Sequence, residues 1–520
     1  MQLRLPASNQ NVAAVFGALL LAQILSGLDT IILVTALPTI VGDLGGLKDL
    51  SWVITIYLLT STAVAPLAGK LSDMMGRKAL FQLSLVVFLV GSALSGQSRS
   101  LLELILFRGI QGIGGGGLGV LGRTIVADIV PGRQLGRLQG ILTSSFAISS
   151  VAGPLVGGLL VDHASWRWIF YINMPIGILA LVVVGVTLDL PRNPRRVQVD
   201  YAGSVLMTAS MSCLLLATTW AGIRFGWGSA PIVGLLAGGC ALAAAFVLVE
   251  ARTGEAVLPV HLFRNRVFAV ASASGLVLGM AMFGPWTVMP IFLQVVTGAS
   301  ATNSGVLLLP LLISFTVSSV ATGFLITRYG RYRVFPIAGT ALMVVGLTLY
   351  TRMGISTSRL EASVYMLVVG VGIGLMLEVL TIAVQNSIHP RDLGAATAGV
   401  GLFNSLGGAF GTAVYLSILN GAMAHWLPRL VPRSVHLAAG VLQGSPTGIR
   451  ALAPGVRHGV VEAFARSLHT VFVWVVPLGV VGLLMVIFLP EVPLREQSAS
   501  ELLAAEGAGI DGLHPDTRSA

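Results

Sequence analysis

The sequence predicts an all-α polytopic membrane protein, with fourteen transmembrane helices set as two six-helix halves and two inserted helices between them. Three observations point there. Hydrophobic residues make up 55% of the 520 residues, charged residues only 10%, and the mean hydropathy is +0.88; a soluble domain carries about 25% charged residues. The apolar residues gather in runs of about 20, the length a helix needs to cross the hydrocarbon layer. Finally, a glycine-ended helix followed by a basic Gly-Arg turn occurs twice, as "GKLSDMMGRKALF" from Gly69 and "GFLITRYGRYRVF" from Gly323, about half the chain apart. Two related halves are a mark of transporters.

The apolar runs give spans 12–41, 52–70, 79–97, 102–124, 139–160, 168–189, 201–222, 230–250, 267–292, 304–326, 334–352, 363–387, 396–419 and 467–490. The first follows the short segment "MQLRLPASNQ". It is too long for a signal-peptide core and has no A-x-A cleavage site behind it, so it reads as the first helix. Helices 7 and 8 then form a spacer pair. The organisation expected is an N-terminal segment 1–11, a first half 12–200, the extra pair 201–250, a second half 251–490 and a tail 491–520.

Charge sets the topology. The net charge of +10 is better explained by membrane orientation than by nucleic acid, because Lys and Arg resist translocation and gather in cytoplasmic loops. With the N-terminus inside, the inner loops hold Lys70, Arg77 and Lys78; Arg123, Arg133 and Arg137; Arg192, Arg195 and Arg196; Arg252, Arg264 and Arg266; and Arg328, Arg331 and Arg333. Both termini are then cytoplasmic. The loop 420–466, with Arg429, Arg433, Arg450 and Arg457, lies outside and reads as a connector. Cys213 and Cys240 both lie in apolar segments and offer neither a disulfide framework nor metal spacing. Walker A, H-E-x-x-H and G-x-S-x-G patterns are missing, and the eight His are scattered. An enzyme, an ATP-driven pump and a metal centre are therefore disfavoured.

Gly69-Lys70-Leu71-Ser72-Asp73-Met74-Met75-Gly76-Arg77-Lys78 resembles the G-x-L-x-D-x-x-G-R-K loop of the major facilitator superfamily. Gly69 and Gly76 allow close approach and a tight turn; Asp73 is placed to pair with Arg77 or to cap a neighbouring helix N-terminus. The expected product is a cytoplasmic latch. "FRGIQGIGGGG" puts Arg108, Gln111, Gly112 and Gly115 on one face of helix 4 and resembles the family's R-x-x-Q-G-x-G pattern, whose Arg is thought to influence proton transfer. In helix 5, Gly153-Pro154-x-x-Gly157-Gly158 resembles the antiporter motif of the family's exporters, with Ser149 in place of an earlier glycine. "LDTIILVTALPTI", "SWRWIFYINMPIG", "LFRNRVF" and "AVQNSIHPRDLGAATAG" look like the fourteen-helix drug:proton antiporters of the QacA/EmrB type.

Two acids fall well inside the spans, Asp29 in helix 1 and Glu378 in helix 12. A carboxylate at mid-membrane costs about 2.5–3.5 kcal/mol on insertion scales and marks function. The resemblance implies that helices 1, 4, 9 and 12 line a central cavity, so Asp29, Arg108 and Glu378 are the expected proton-coupling residues, one acid toward each side of the midplane. Burial disfavours the ionised form, so such an acid exchanges a proton for a cation when the cavity opens. Tyr57, Gln111, Trp286 and Gln294 are candidate substrate contacts, the aromatics by stacking on flat cations. The function implied is a proton-coupled multidrug efflux antiporter in the bacterial cytoplasmic membrane. It would export lipophilic, often cationic compounds, work as a monomer and draw on the proton gradient with no cofactor or nucleic-acid partner. A dedicated exporter of one metabolite, antibiotic, siderophore or lipid is the alternative.

Overall fold

The computed structural model describes residues 12–44, 51–188, 200–221, 225–253, 257–299, 306–432, 449, 452–495, 497 and 501–502. These form long helices: α1 (Val12–Leu44), α2 (Ser51–Met75), α3 (Arg77–Gln97), α4 (Leu101–Ile129), α5 (Gly132–His163), α6 (Trp168–Thr187), α7 (Tyr201–Trp220), α8 (Ala230–Glu250), α9 (Arg266–Ile291), α10 (Leu309–Tyr329), α11 (Val334–Tyr350), α12 (Arg359–Ser387), α13 (Leu393–Leu430) and α14 (Pro454–Ile487). Thirteen are long and apolar enough to cross a membrane, and α11, with 17 residues, is shorter. The protein is a multi-pass membrane protein.

Local sequence explains where several helices begin and turn. Ser100 accepts a hydrogen bond from Glu103 N at 3.2 Å to open α4, and Ser358 accepts one from Glu361 N at 3.2 Å to open α12. The two S-x-x-E starts share the capping-box sequence pattern with the serine half formed, and both helices run 29 residues. The repeated Gly-Arg turns are realised in backbone geometry. Gly76 has φ 98° and Gly330 φ 69°, values that residues with a Cβ seldom adopt.

Helices α1–α6 pack mainly on one another, as do α9–α14. The two groups meet along α2 with α13 and α5 with α10, reinforced by α4 with α13 and α5 with α12. Lipid tails are as apolar as leucine, so small residues that let backbones approach drive such packing. In α4, a Cβ on Gly114 would lie 2.4 Å from Phe88 N of α3, and one on Gly116 would lie 2.2 Å from Ser61 O of α2. In α12, Gly370 and Gly374 stand equally close to the Leu311 and Phe315 carbonyls of α10.

The inserted pair is asymmetric. α7 lies against α8 and also against α2 and α13, one from each group, while α8 rests chiefly on α7. Asp200 caps α7, accepting from Gly203 N at 2.8 Å. Glu250 at the end of α8 accepts from Val257 N at 2.8 Å and Leu258 N at 3.3 Å, fixing the strap that leads into α9.

Several borders differ from expectation. α4 continues to Ile129, five residues past the expected end at 124, so Asp128 is helical and not in a loop. α2 likewise carries Asp73 within its last turn. The loop expected at 420–466 is shortened from both ends, because α13 reaches Leu430 and α14 starts at Pro454. Acids other than the two expected also fall within helices, among them Asp73, Asp128 and Glu250, and Asp128 and Glu250 are buried. The segments 1–11 and 503–520 lie outside the described residues.

Candidate functional site

Asp29 is 2% exposed and Arg108 0% exposed, and the two form an ion pair between α1 and α4. Every further contact of the pair comes from the same helix group. Asp29 Oδ1 accepts from Gln111 Nε2 at 2.8 Å and from Asn173 Nδ2 of α6 at 2.9 Å. Arg108 Nη1 also donates to Gln111 Oε1 at 2.8 Å. Arg108 and Gln111 sit three residues apart on one helical face, which is why both reach the same carboxylate. Asn173 Nδ2 reaches Ser92 Oγ of α3 at 2.9 Å, and Ser92 donates to Phe170 O at 2.8 Å. The guanidinium lies over the Tyr57 ring, 4.3 Å from its centroid, a cation–π contact strengthened by desolvation. Tyr57 Oη is 3.1 Å from Ser26 Oγ. Arg108 Nη2 has no hydrogen-bond partner among the described residues.

This arrangement bears on the candidate substrate contacts. Tyr57 is 4% exposed and Gln111 0%, and in this conformation both belong to the Asp29–Arg108 cluster. Gln294 falls in a π-helical turn, Phe292–Val296, that continues α9. The side chain of Trp286 lies outside the described residues. Asn173 and Ser92 were not among the expected site residues, although Asn173 stands within "SWRWIFYINMPIG" as a polar residue opening an apolar helix.

Glu378 occupies a different setting. It is 3% exposed on α12, and Arg123 Nη2 of α4 lies 3.3 Å from its Oε1. This pair joins the two helix groups. Glu378 lies about 14 Å along α12 from the helix end at Ser387, whereas Asp29 lies about 25 Å along α1 from Val12, at 1.5 Å per residue.

The G-x-L-x-D-x-x-G-R-K segment also crosses between the groups. Asp73 pairs with Arg77 and accepts from Gly394 N at 3.0 Å and Ala395 N at 3.1 Å. It thus does both things the sequence suggested, and it places a negative charge at the N-terminus of α13. Arg77 Nε is 2.7 Å from Asp128 Oδ2, and Arg77 Nη1 donates to Ser72 Oγ at 2.5 Å. A Cβ on Gly69 would stand 2.6 Å from Gly394 O, so only glycine lets α2 and α13 touch here. Lys78 donates to Gly185 O of α6 at 2.8 Å. Gly76 supplies the turn.

In the second helix-5 motif, a Cβ on Gly153 would meet Ile31 of α1 at 2.7 Å, and Ser149 Oγ donates to Ile24 O at 3.1 Å. Gly157 is buried and Gly158 borders open space. The side chain of Pro154 lies outside the described residues, and α5 passes through it as helix. This motif therefore holds α5 against α1 within one group.

Comparison with known proteins places the chain. The family model described as Major Facilitator Superfamily matches residues 19–412. An uncharacterized MFS-type transporter of Mycobacterium tuberculosis is 40% identical over 93% of this chain and 70% of its own length. The multidrug transporter protein MdtP of Bacillus subtilis is 34% identical over 94% of this chain and 95% of its own. The acurin A biosynthesis cluster MFS-type transporter of Aspergillus aculeatus is 36% identical over 78% and 74%. Among solved structures, a double-tryptophan XylE mutant aligns with a TM-score of 0.62 at 15% identity, over 95% of this chain and 98% of that one. The human organic anion transporter MFSD10 aligns at 0.60 and 14%, over 93% and 100%. An all-helical chain with apolar spans, a glycine-built contact between two helix groups and buried charge at its centre is thus a membrane transporter of the major facilitator superfamily.

Proposed function

We propose that the protein is a proton-coupled exporter of lipophilic, often cationic compounds, working by alternating access in the bacterial cytoplasmic membrane with both termini inside. The observation that carries this reading is the Asp29–Arg108 pair, buried and held by Gln111 and Asn173. Naming of MdtP as a multidrug transporter supports the substrate class.

A charge pair buried in hydrocarbon is expensive unless it is fully hydrogen-bonded, and such residues mark proton relays. In this conformation Asp29 takes three donors and is 2% exposed, so a proton must displace the Arg108 charge to bind and gains entry only when the cluster loosens. Water reaching the cluster once the cavity opens toward the outside would loosen Arg108 from Asp29 within their own helix group and admit the proton. Neutral Asp29 then releases Arg108, whose unpartnered Nη2 already faces a site without a hydrogen-bonding group. Closing and opening inward returns the proton as Arg108 recaptures the carboxylate. Arg108 thus acts as the internal competitor of the proton, and Gln111 and Asn173 orient the carboxylate. The unit needs no cofactor beyond the proton gradient and works as a monomer. Glu378 is the second titratable group of the cycle.

A second reading, export of one dedicated metabolite, draws support from the biosynthesis-cluster relative. Purified protein in liposomes with an imposed pH gradient, tested against dyes, antibiotics and lipids, separates the two. The multidrug reading expects gradient-driven transport of several unrelated lipophilic cations; transport of one compound only favours the second. Transport with no proton movement for any substrate overturns the coupling.

A further inference from the structure

Four polar side chains meet where the two helix groups touch, and Arg123 is their hub. Its guanidinium reaches Glu378 of α12. Its own carbonyl accepts from Gln139 Nε2 of α5 at 2.9 Å and from Gln385 Nε2 of α12 at 3.5 Å. Gln139 Nε2 also lies 3.3 Å from Gln385 Oε1, and Gln385 Nε2 donates to Thr397 Oγ1 of α13 at 3.1 Å. Glu378 and Gln385 are two helical turns apart on one face of α12. Gln139, Gln385 and Glu378 are all buried, while Arg123 keeps a third of its side chain exposed.

Neither carboxylate oxygen of Glu378 accepts a hydrogen bond among the described residues. Its one counter-charge comes from the opposite helix group. The other titratable groups at this end are engaged elsewhere. Asp73 and Asp128 hold Arg77; Arg137 of α5 lies over the Phe324 ring; Asp392, ahead of α13, pairs with His261. Arg333, ahead of α11, donates to Ile487 O. Arg266 of α9 and Arg328 of α10 are exposed.

We propose that Arg123 and Glu378, with Gln139 and Gln385, form the gate of this end of the transporter, and that a proton on Glu378 opens it. The proposal rests on reading the protein as an alternating-access carrier, and it makes Glu378 a gating residue that acts through Arg123 and not a substrate anchor. The sign follows from charge. Ionised Glu378 attracts Arg123 and draws α12 toward α4. A proton moving onto one carboxylate oxygen removes that attraction and leaves two glutamine contacts, one of them 3.5 Å long, and the Asp73 bonds to Gly394 and Ala395 to resist separation. A carrier loaded with protons therefore opens at this end and closes after releasing them there.

The test places spin labels at cysteines replacing Met75 and Tyr329, both exposed, one on each helix group at this end, with Cys213 and Cys240 changed to alanine. The full chain sits in lipid nanodiscs, and electron-resonance distances are read across a pH titration. The long-distance population should grow as pH falls. Glu378→Gln should raise it about fivefold or more at high pH and flatten the pH profile. Glu378→Asp should keep a pH response. The exchange Arg123→Glu with Glu378→Arg should restore the short distance at high pH. A Glu378→Gln protein matching its parent at every pH overturns the gate, as does an exchange variant as open as Glu378→Gln. No substrate or gradient enters the measurement, so failure of proton-driven efflux and failure of the gate are read separately.

Discussion

Asp29 and Glu378 are buried almost equally, at 2% and 3% exposure, yet their surroundings differ. Asp29 has three donors, all from its own helix group. Glu378 has one cation from the other group and no hydrogen bond among the described residues. A fully satisfied charge pair stays put when one rigid group rotates against another. A charge whose only partner sits across the moving boundary changes its surroundings with every stroke. Depth alone made the two acids look alike in the sequence; the ownership of their partners is what distinguishes the proposed coupling site from the proposed gate.

The largest expected effect breaks the satisfied site. Arg108→Ala leaves a buried carboxylate without its cation, a change of about 3–5 kcal/mol. Thermal unfolding in detergent should show it as a large fall in melting temperature or loss of folded yield. Changing Asp29→Asn in the same protein should recover much of it. Arg123→Ala, by contrast, removes a cation that keeps a third of its side chain exposed, and should cost less than Arg108→Ala in the same assay. Equal losses for the two arginines would dissolve the distinction.

Intermediate effects sharpen the description of the Asp29 cluster. Asn173→Ala removes a donor to Asp29 and a contact to Ser92 and should cost about 1–3 kcal/mol. It should also shift the pH dependence of efflux, measured in everted vesicles, which a purely structural asparagine would not. The smallest change is Tyr57→Phe. It loses the bond to Ser26 and keeps the ring under Arg108, so stability should move by about 1 kcal/mol or less.

The helix inventory was readable because fourteen apolar runs stood clear of the polar turns. The ends were not, since hydropathy falls at the first Arg or Asp while the backbone hydrogen bonds continue. That is why Asp128 fell outside the expected span and emerges inside α4. The Asp73–Arg77 pairing was legible from their fixed spacing, whereas the other contacts of the motif, Gly394 and Ala395 of α13 and Asp128 of α4, appear only in the packed structure. Asn173 was harder to find: a neutral amide barely changes the apolar character of its helix, and its partner Asp29 is far away in sequence. The gate was hidden for a similar reason. Gln139 and Gln385 meet only when α5 and α12 are packed together, and pairing over that sequence distance leaves no local pattern.

The division of labour between the two acids is tested most directly in liposomes containing Asp29→Asn, with transport of one lipophilic cation measured in two modes. The expected result is loss of accumulation driven by a pH gradient, with exchange of labelled for unlabelled substrate across a gradient-free membrane still detectable. Gradient-driven accumulation by Asp29→Asn at the rate of the unmodified protein would contradict the account.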